Sequence, residues 1–126
     1  MAKLLVIDDD EAVRVLLRTI LEAVGHEILV ADGGDEGMRL LESTSVDLVI
    51  TDILMPEKDG LAVIRELADS HPGVKIIGLS GGGMILSAKT SLQAAEKMGV
   101  SQTLSKPFTS QQVLDVIDAA LATPPS

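Results

Sequence analysis

The sequence predicts an α/β fold, a parallel sheet covered by helices on both faces, and three observations carry that expectation. Short apolar runs alternate with segments of helical periodicity five times along the chain. The run Val46 to Thr51 is nearly continuous and rich in β-branched residues, as in a strand buried on both sides. Polar residues with chemistry to offer follow the strands at one end: Asp8, Asp9, Asp52, Ser80 and Lys106. In open α/β sheets ligands bind outside the carboxyl ends of the strands.

Taken in order, Leu4 to Ile7 form a buried strand that runs straight into Asp8, Asp9 and Asp10. From Glu11, Val13, Leu16, Leu17, Ile20, Leu21 and Val24 recur at helical spacing, with Asp10 as N-cap and Gly25 as the stop. Ile28 to Ala31 is a short second strand, Asp32 to Gly34 a turn, and Met38, Leu40 and Leu41 mark a second helix ending near Ser43. The third strand delivers Asp52 into a loop of turn chemistry, Pro56 and Asp59-Gly60. A third helix is expected from Leu61 to Asp69, burying Val63, Ile64 and Leu67, and is closed by His71-Pro72-Gly73.

Val74 to Leu79 form the fourth strand, ending on Ser80. Gly81 to Gly83 make a flexible connection, and a fourth helix is expected from Leu86 to Met98, stopped by Gly99. Val100 to Leu104 form a fifth strand leading to Ser105, Lys106 and Pro107. Thr109 with Gln112 makes a capping box for a last helix through Leu121 that buries Val113, Val116, Ile117 and Ala120. One domain, residues 1–122, accounts for the chain, and the tail 123–126 is expected to be disordered.

Composition narrows the function. There is no cysteine, which removes thiolate metal sites and cysteine nucleophiles and fits a reducing compartment. Met1 to Lys3 and then Leu4 to Ile7 read as too short and too quickly acidic for a signal peptide, and no apolar run approaches membrane length, so a cytoplasmic protein with no membrane partner is expected. A net charge of −9 repels phosphate backbones, and Phe108, the single aromatic residue, offers no stacking platform, so direct nucleic-acid binding is not expected. His26 and His71 sit at helix ends and read as solvent-facing. Met38 and Met98 read as core packing, Met55 and Met84 as loop contacts.

The strand ends hold the chemistry. If the first, third, fourth and fifth strands adjoin, the carboxylates of Asp8, Asp9 and Asp52 converge with the hydroxyl of Ser80 and the ammonium of Lys106. The bland alternative for Asp8 to Asp10 is a turn plus a helix cap, which suits Asp10 but not the whole set. Gathered acids call for a cation, and oxygen-only ligands suit Mg²⁺ better than zinc. Metal, carboxylate nucleophile, hydroxyl and ammonium together are what phosphoryl transfer onto an aspartate requires.

With Asp8-Asp9, Thr51-Asp52-Ile53-Leu54-Met55-Pro56, Gly60, Ser80 and Lys106-Pro107-Phe108 in this order, the chain resembles the receiver domain of two-component response regulators over essentially its full length. The resemblance implies a flavodoxin-like five-stranded sheet in order 2-1-3-4-5 with five helices. It implies Asp52 as phosphoacceptor, and Asp9 as a direct Mg²⁺ ligand with Asp8 acting partly through water. The backbone carbonyl of Leu54 would complete the protein ligands, while Ser80 and Lys106 would bind phosphoryl oxygens and Ser80 would move toward them on activation. The implied phosphodonor is a sensor histidine kinase or histidine phosphotransfer protein, with output by contact with a downstream protein.

Two departures stand out. Thr103 occupies the position three before the lysine where receivers commonly carry Tyr or Phe, so an aromatic-rotation switch is excluded there. The segment Gly81 to Ser91 is glycine-rich and longer than usual, which points to an altered face between the fourth helix, fifth strand and last helix. Leu54 and Gly82, two residues after Asp52 and Ser80, carry no group to orient an attacking water, so slow loss of phosphoryl is expected. Leu54 also stands where haloacid-dehalogenase-like phosphatases need a second Asp, which disfavours that alternative. A nucleotide- or flavin-binding domain would want a Gly-rich turn after the first strand or a Walker lysine, and neither is present.

Overall fold

The computed structural model describes residues 2–53, 60–80, 100 and 102–122. Strands β1 (Lys3–Ile7), β2 (Glu27–Ala31), β3 (Leu48–Asp52), β4 (Lys75–Ser80) and β5 (Gln102–Ser105) form one sheet in order β2-β1-β3-β4-β5. Every pairing is parallel. Helices α1 (Glu11–Ala23), α2 (Gly34–Ser43), α3 (Gly60–Ser70) and α4 (Ser110–Ala122) are the helices of the described residues. The fourth helix expected from Leu86 to Met98, the glycine-rich segment Gly81 to Ser91, the residues Leu54 to Asp59 and the tail 123–126 lie outside them.

Both faces of the sheet are covered, which is why its central strands β1, β3 and β4 are largely apolar. Leu4, Val6, Leu48, Ile50, Ile77, Leu79 and Leu104 pack with Leu17 and Leu21 of α1 and Val113 and Ile117 of α4. On the other face Leu5, Ile7, Val49, Ile53 and Ile76 pack with Leu41 of α2 and Val63, Ile64 and Leu67 of α3. Burying such side chains contributes about 1.5–3 kcal/mol each before the entropy of ordering them is counted. Gly37 of α2 lets that helix approach β1 closely, since a Cβ there would lie 2.5 Å from Ile7 Cδ1.

Local signals set the helix ends. The Asp10 carboxylate accepts from the Ala12 N–H at 2.9 Å and caps α1. At the other end Gly25 has φ 95°, with Gly25 N–H donating to the Glu22 carbonyl and His26 N–H to that of Leu21, the paired bonds of a Schellman stop. Thr109 and Gln112 cap α4 reciprocally, at 2.8 and 3.1 Å. Strand starts differ from the sequence reading: β3 begins at Leu48 instead of Val46, β4 at Lys75 instead of Val74 and β5 at Gln102 instead of Val100. In each case the apolar residue ahead of the strand is buried or half-buried against the α2/α3 side without joining the ladder.

Four side chains correct the sequence reading. Leu16 and Val24, on the periodic stripe of α1, are 45% and 44% exposed, because the helix leans on the sheet through Leu17 and Leu21. His26 is half-buried, not solvent-facing: its Nδ1 accepts the Ala2 N–H at 3.2 Å and ties down the start of β1. His71 is likewise half-buried, 2.8 Å from Ser70 Oγ. Phe108 is partly buried against the α1/α4 core. No helix among the described residues is long and apolar enough to cross a membrane.

Candidate functional site at the carboxyl edge of the sheet

Strand side chains alternate between faces, and that alternation decides which groups meet. Leu4 and Val6, Leu48 and Ile50, and Leu104 all face α1 and α4. Continued past the last core residue of each strand, the same phase assigns Asp8, Asp52 and Lys106 to that side. The ladder itself reaches these positions, through Asp8 N–H to Ala31 carbonyl at 3.2 Å, Ile53 N–H to Leu79 carbonyl at 2.9 Å and Lys106 N–H to Ser80 carbonyl at 2.8 Å.

The three side chains meet as the phase requires. Lys106 Nζ donates to Asp8 Oδ2 at 2.8 Å and to Asp52 Oδ2 at 2.9 Å. Asp8 is fully buried, Asp52 nearly so, and the lysine keeps about one fifth of its side chain exposed. Asp9 is exposed, yet carboxylate oxygens of Asp8, Asp9 and Asp52 lie within 4.8 Å of one another. Two hydrogen bonds hold the acidic turn: Asp8 Oδ1 accepts from Asp10 N–H at 2.8 Å, and Arg14 Nη1 donates to the Asp8 carbonyl at 2.7 Å.

Burial is the largest influence on Asp8 and, with the nearby Asp52 charge, lifts its pKa above the ordinary 3.8 over the opposing pull of Lys106 and the Asp10 N–H. For Lys106 burial works against the charge, but hydrogen bonds and charges from Asp8 and Asp52 outweigh it and hold the ammonium above its ordinary 10.5. One ammonium against three carboxylates leaves the cluster net negative, and all its ligand atoms are oxygens. Such a set fits a hard divalent cation.

Of the residues singled out in the sequence, Asp8, Asp9, Asp52 and Lys106 are brought together. Ser80 is buried at the same edge but one step out of phase, and its hydroxyl donates to Ser105 Oγ at 3.3 Å. Leu54, whose carbonyl was expected to complete a metal site, lies outside the described residues. Sequence reasoning missed Arg14 and Ser105. Ser105 had a usable signal, because a residue preceding Lys106 must face away from it and toward the side that Ser80 occupies.

Nearly all of the chain matches known proteins. A family model described as the response regulator receiver domain matches residues 4–118. The transcriptional regulatory protein GlrR of Escherichia coli K12 is 38% identical over 120 residues, which cover 95% of this chain and 26% of that protein. The chain thus spans about a quarter of the length of that curated relative. A receiver domain protein of Clostridium thermocellum superposes with a TM-score of 0.83 at 36% identity, covering 96% of this chain and 94% of the other. The receiver domain of NtrX from Brucella abortus gives 0.87 at 30% identity, covering 95% and 98%. The phosphatase alternative gains no support from these matches.

Proposed function

The chain belongs to the response regulator receiver family, and from that premise we propose that Asp52 is its phosphoacceptor, charged from a phosphohistidine on a sensor kinase or a histidine phosphotransfer protein. The observation that carries the reading is the buried Asp52 carboxylate, 2.9 Å from Lys106 Nζ and within 4.8 Å of the acidic pair. In the transfer, an Asp52 oxygen forms a bond to phosphorus as the bond from phosphorus to the donor imidazole nitrogen breaks. The electron pair stays on that nitrogen, which can take up a proton from solvent.

Each residue then has a task. Lys106 neutralises charge arriving with the phosphoryl oxygens, being anchored beside the nucleophile before transfer begins. Asp8, Asp9 and Asp52, with the Leu54 carbonyl, would hold Mg²⁺. When bound, the cation neutralises and orients the phosphoryl oxygens. Ser80 supplies a hydroxyl to one of those oxygens. The first turns of α1 present Glu11, Ala12, Val15, Leu16 and Thr19 around one surface recess, with Val15 56% exposed, and its nearness to the acidic turn suits it to seat the phosphodonor's histidine-bearing helix. Such a reaction belongs in the cytoplasm, with output by contact with a downstream protein.

Incubation with acetyl phosphate and Mg²⁺ tests the assignment without a kinase. One phosphoryl group should be added by intact mass, and Asp52→Asn should add none. Undiminished incorporation in that variant overturns the assignment.

A further inference from the structure

Ser80 and Ser105 are register partners on the last rung of the β4–β5 ladder, and the Ser80 hydroxyl donates to Ser105 Oγ at 3.3 Å. Ser80 is 4% exposed whereas Ser105 is open to solvent. We propose that Ser105 is a positioning residue: it parks the Ser80 hydroxyl in the unphosphorylated protein and so sets how readily the phosphorylated state is reached. The inference rests on the reading above, in which Ser80 serves a phosphoryl oxygen on Asp52.

In the bond as it stands, Ser80 gives its one hydroxyl proton to Ser105 Oγ, so donating that proton to a phosphoryl oxygen ends this bond. Ser80 lies one step out of phase with Asp52, and the Lys106 N–H to Ser80 carbonyl bond at 2.8 Å pins its backbone. The hydroxyl must therefore change partners by rotating about its Cα–Cβ bond. An interaction present in only one of two states biases the equilibrium between them by its own free energy. The bond is neutral and longer than the usual O–H···O distance, which puts it at the weak end of the net range, so its loss should shift the equilibrium about two- to fivefold.

Beryllofluoride with Mg²⁺, a mimic of the bound phosphoryl group, reads the shift directly by titration. Ser105→Ala should bind it about two- to fivefold more tightly than the parent, and Ser105→Thr, which keeps a hydroxyl, should return to the parent value. In a Ser80→Ala background, Ser105→Ala should have no effect. Equal affinity in parent and Ser105→Ala overturns the inference, as does a gain that persists when the Ser80 hydroxyl is absent. Failure of the parent to bind beryllofluoride at all overturns the Asp52 reading instead, and this inference with it.

Discussion

Two groups of side chains share the carboxyl edge of the sheet, and their resting conditions are opposite. Asp8, Asp52 and Lys106 face α1 and α4 and are joined in a charged cluster, while Ser80 and Ser105, out of phase with them, form a neutral pair of hydroxyls. The first group is under electrostatic tension, with a fully buried carboxylate whose pKa is raised. The second is nearly without it. What separates them is a single step in strand phase, so proximity in the sheet does not place every functional group in one pocket. In the proposed reading the charged group already holds the phosphoacceptor, and the hydroxyl pair would exchange a bond before taking part.

The largest test breaks the charged group. Lys106→Met removes the cation proposed to stabilise incoming phosphoryl oxygens, and incorporation from acetyl phosphate should slow by about 10²-fold. Mg²⁺ should bind more tightly in the same variant, because the carboxylates lose the ammonium that competes for them. A rate like the parent's would remove Lys106 from the mechanism.

Asp9→Asn separates charge from packing. Its carboxylate is exposed, so the unfolding midpoint should stay within about 0.5 kcal/mol of the parent, while Mg²⁺ affinity should fall by about tenfold or more as a charged oxygen ligand is lost. A metal titration indistinguishable from the parent's would count against its role. Gly78→Ala probes the face that the serines share. A Cβ at Gly78 would lie 2.8 Å from Cδ1 and 3.3 Å from Cγ1 of Ile53, the neighbour of Asp52. Ile53 must shift, and denaturant unfolding should show a loss of about 1 kcal/mol; no loss would mean that face yields freely.

The smallest effects concern pH in metal-free protein. The raised pKa of Asp8 means the folded state holds that proton to higher pH than the unfolded chain does, so stability falls as pH rises through the raised value. Asp8→Asn should flatten that decline, and an unchanged urea-midpoint profile would contradict it. Lys106 has the opposite consequence at the other end. Its pKa is raised too, so its contribution is fully present below 10.5 and lost only as pH climbs through the higher folded value. Lys106→Met should remove that alkaline loss.

Much of this was legible in the residues. The cap at Asp10, the stop at Gly25 and the box of Thr109 with Gln112 depend on bonds spanning only a few positions, and each is found where the sequence puts it. The charged cluster was legible because acids and a lysine each follow a strand. Less legible was which apolar residues the core would take: periodicity includes Leu16 in the stripe of α1, but the lean of the helix leaves it half exposed.

By itself, then, the sequence determined the identity and order of the strands and of the four described helices, and the end of each strand at which polar groups emerge, since propensity, capping and turn chemistry act locally. Only the tertiary structure decided which of those groups touch. Lys106 meets Asp8 across 98 positions of chain and Asp52 across 54, and no local signal spans such distances. Parallel register between strands, and the phase that packing on both faces imposes, joined the lysine to the two acids and turned Ser80 toward Ser105.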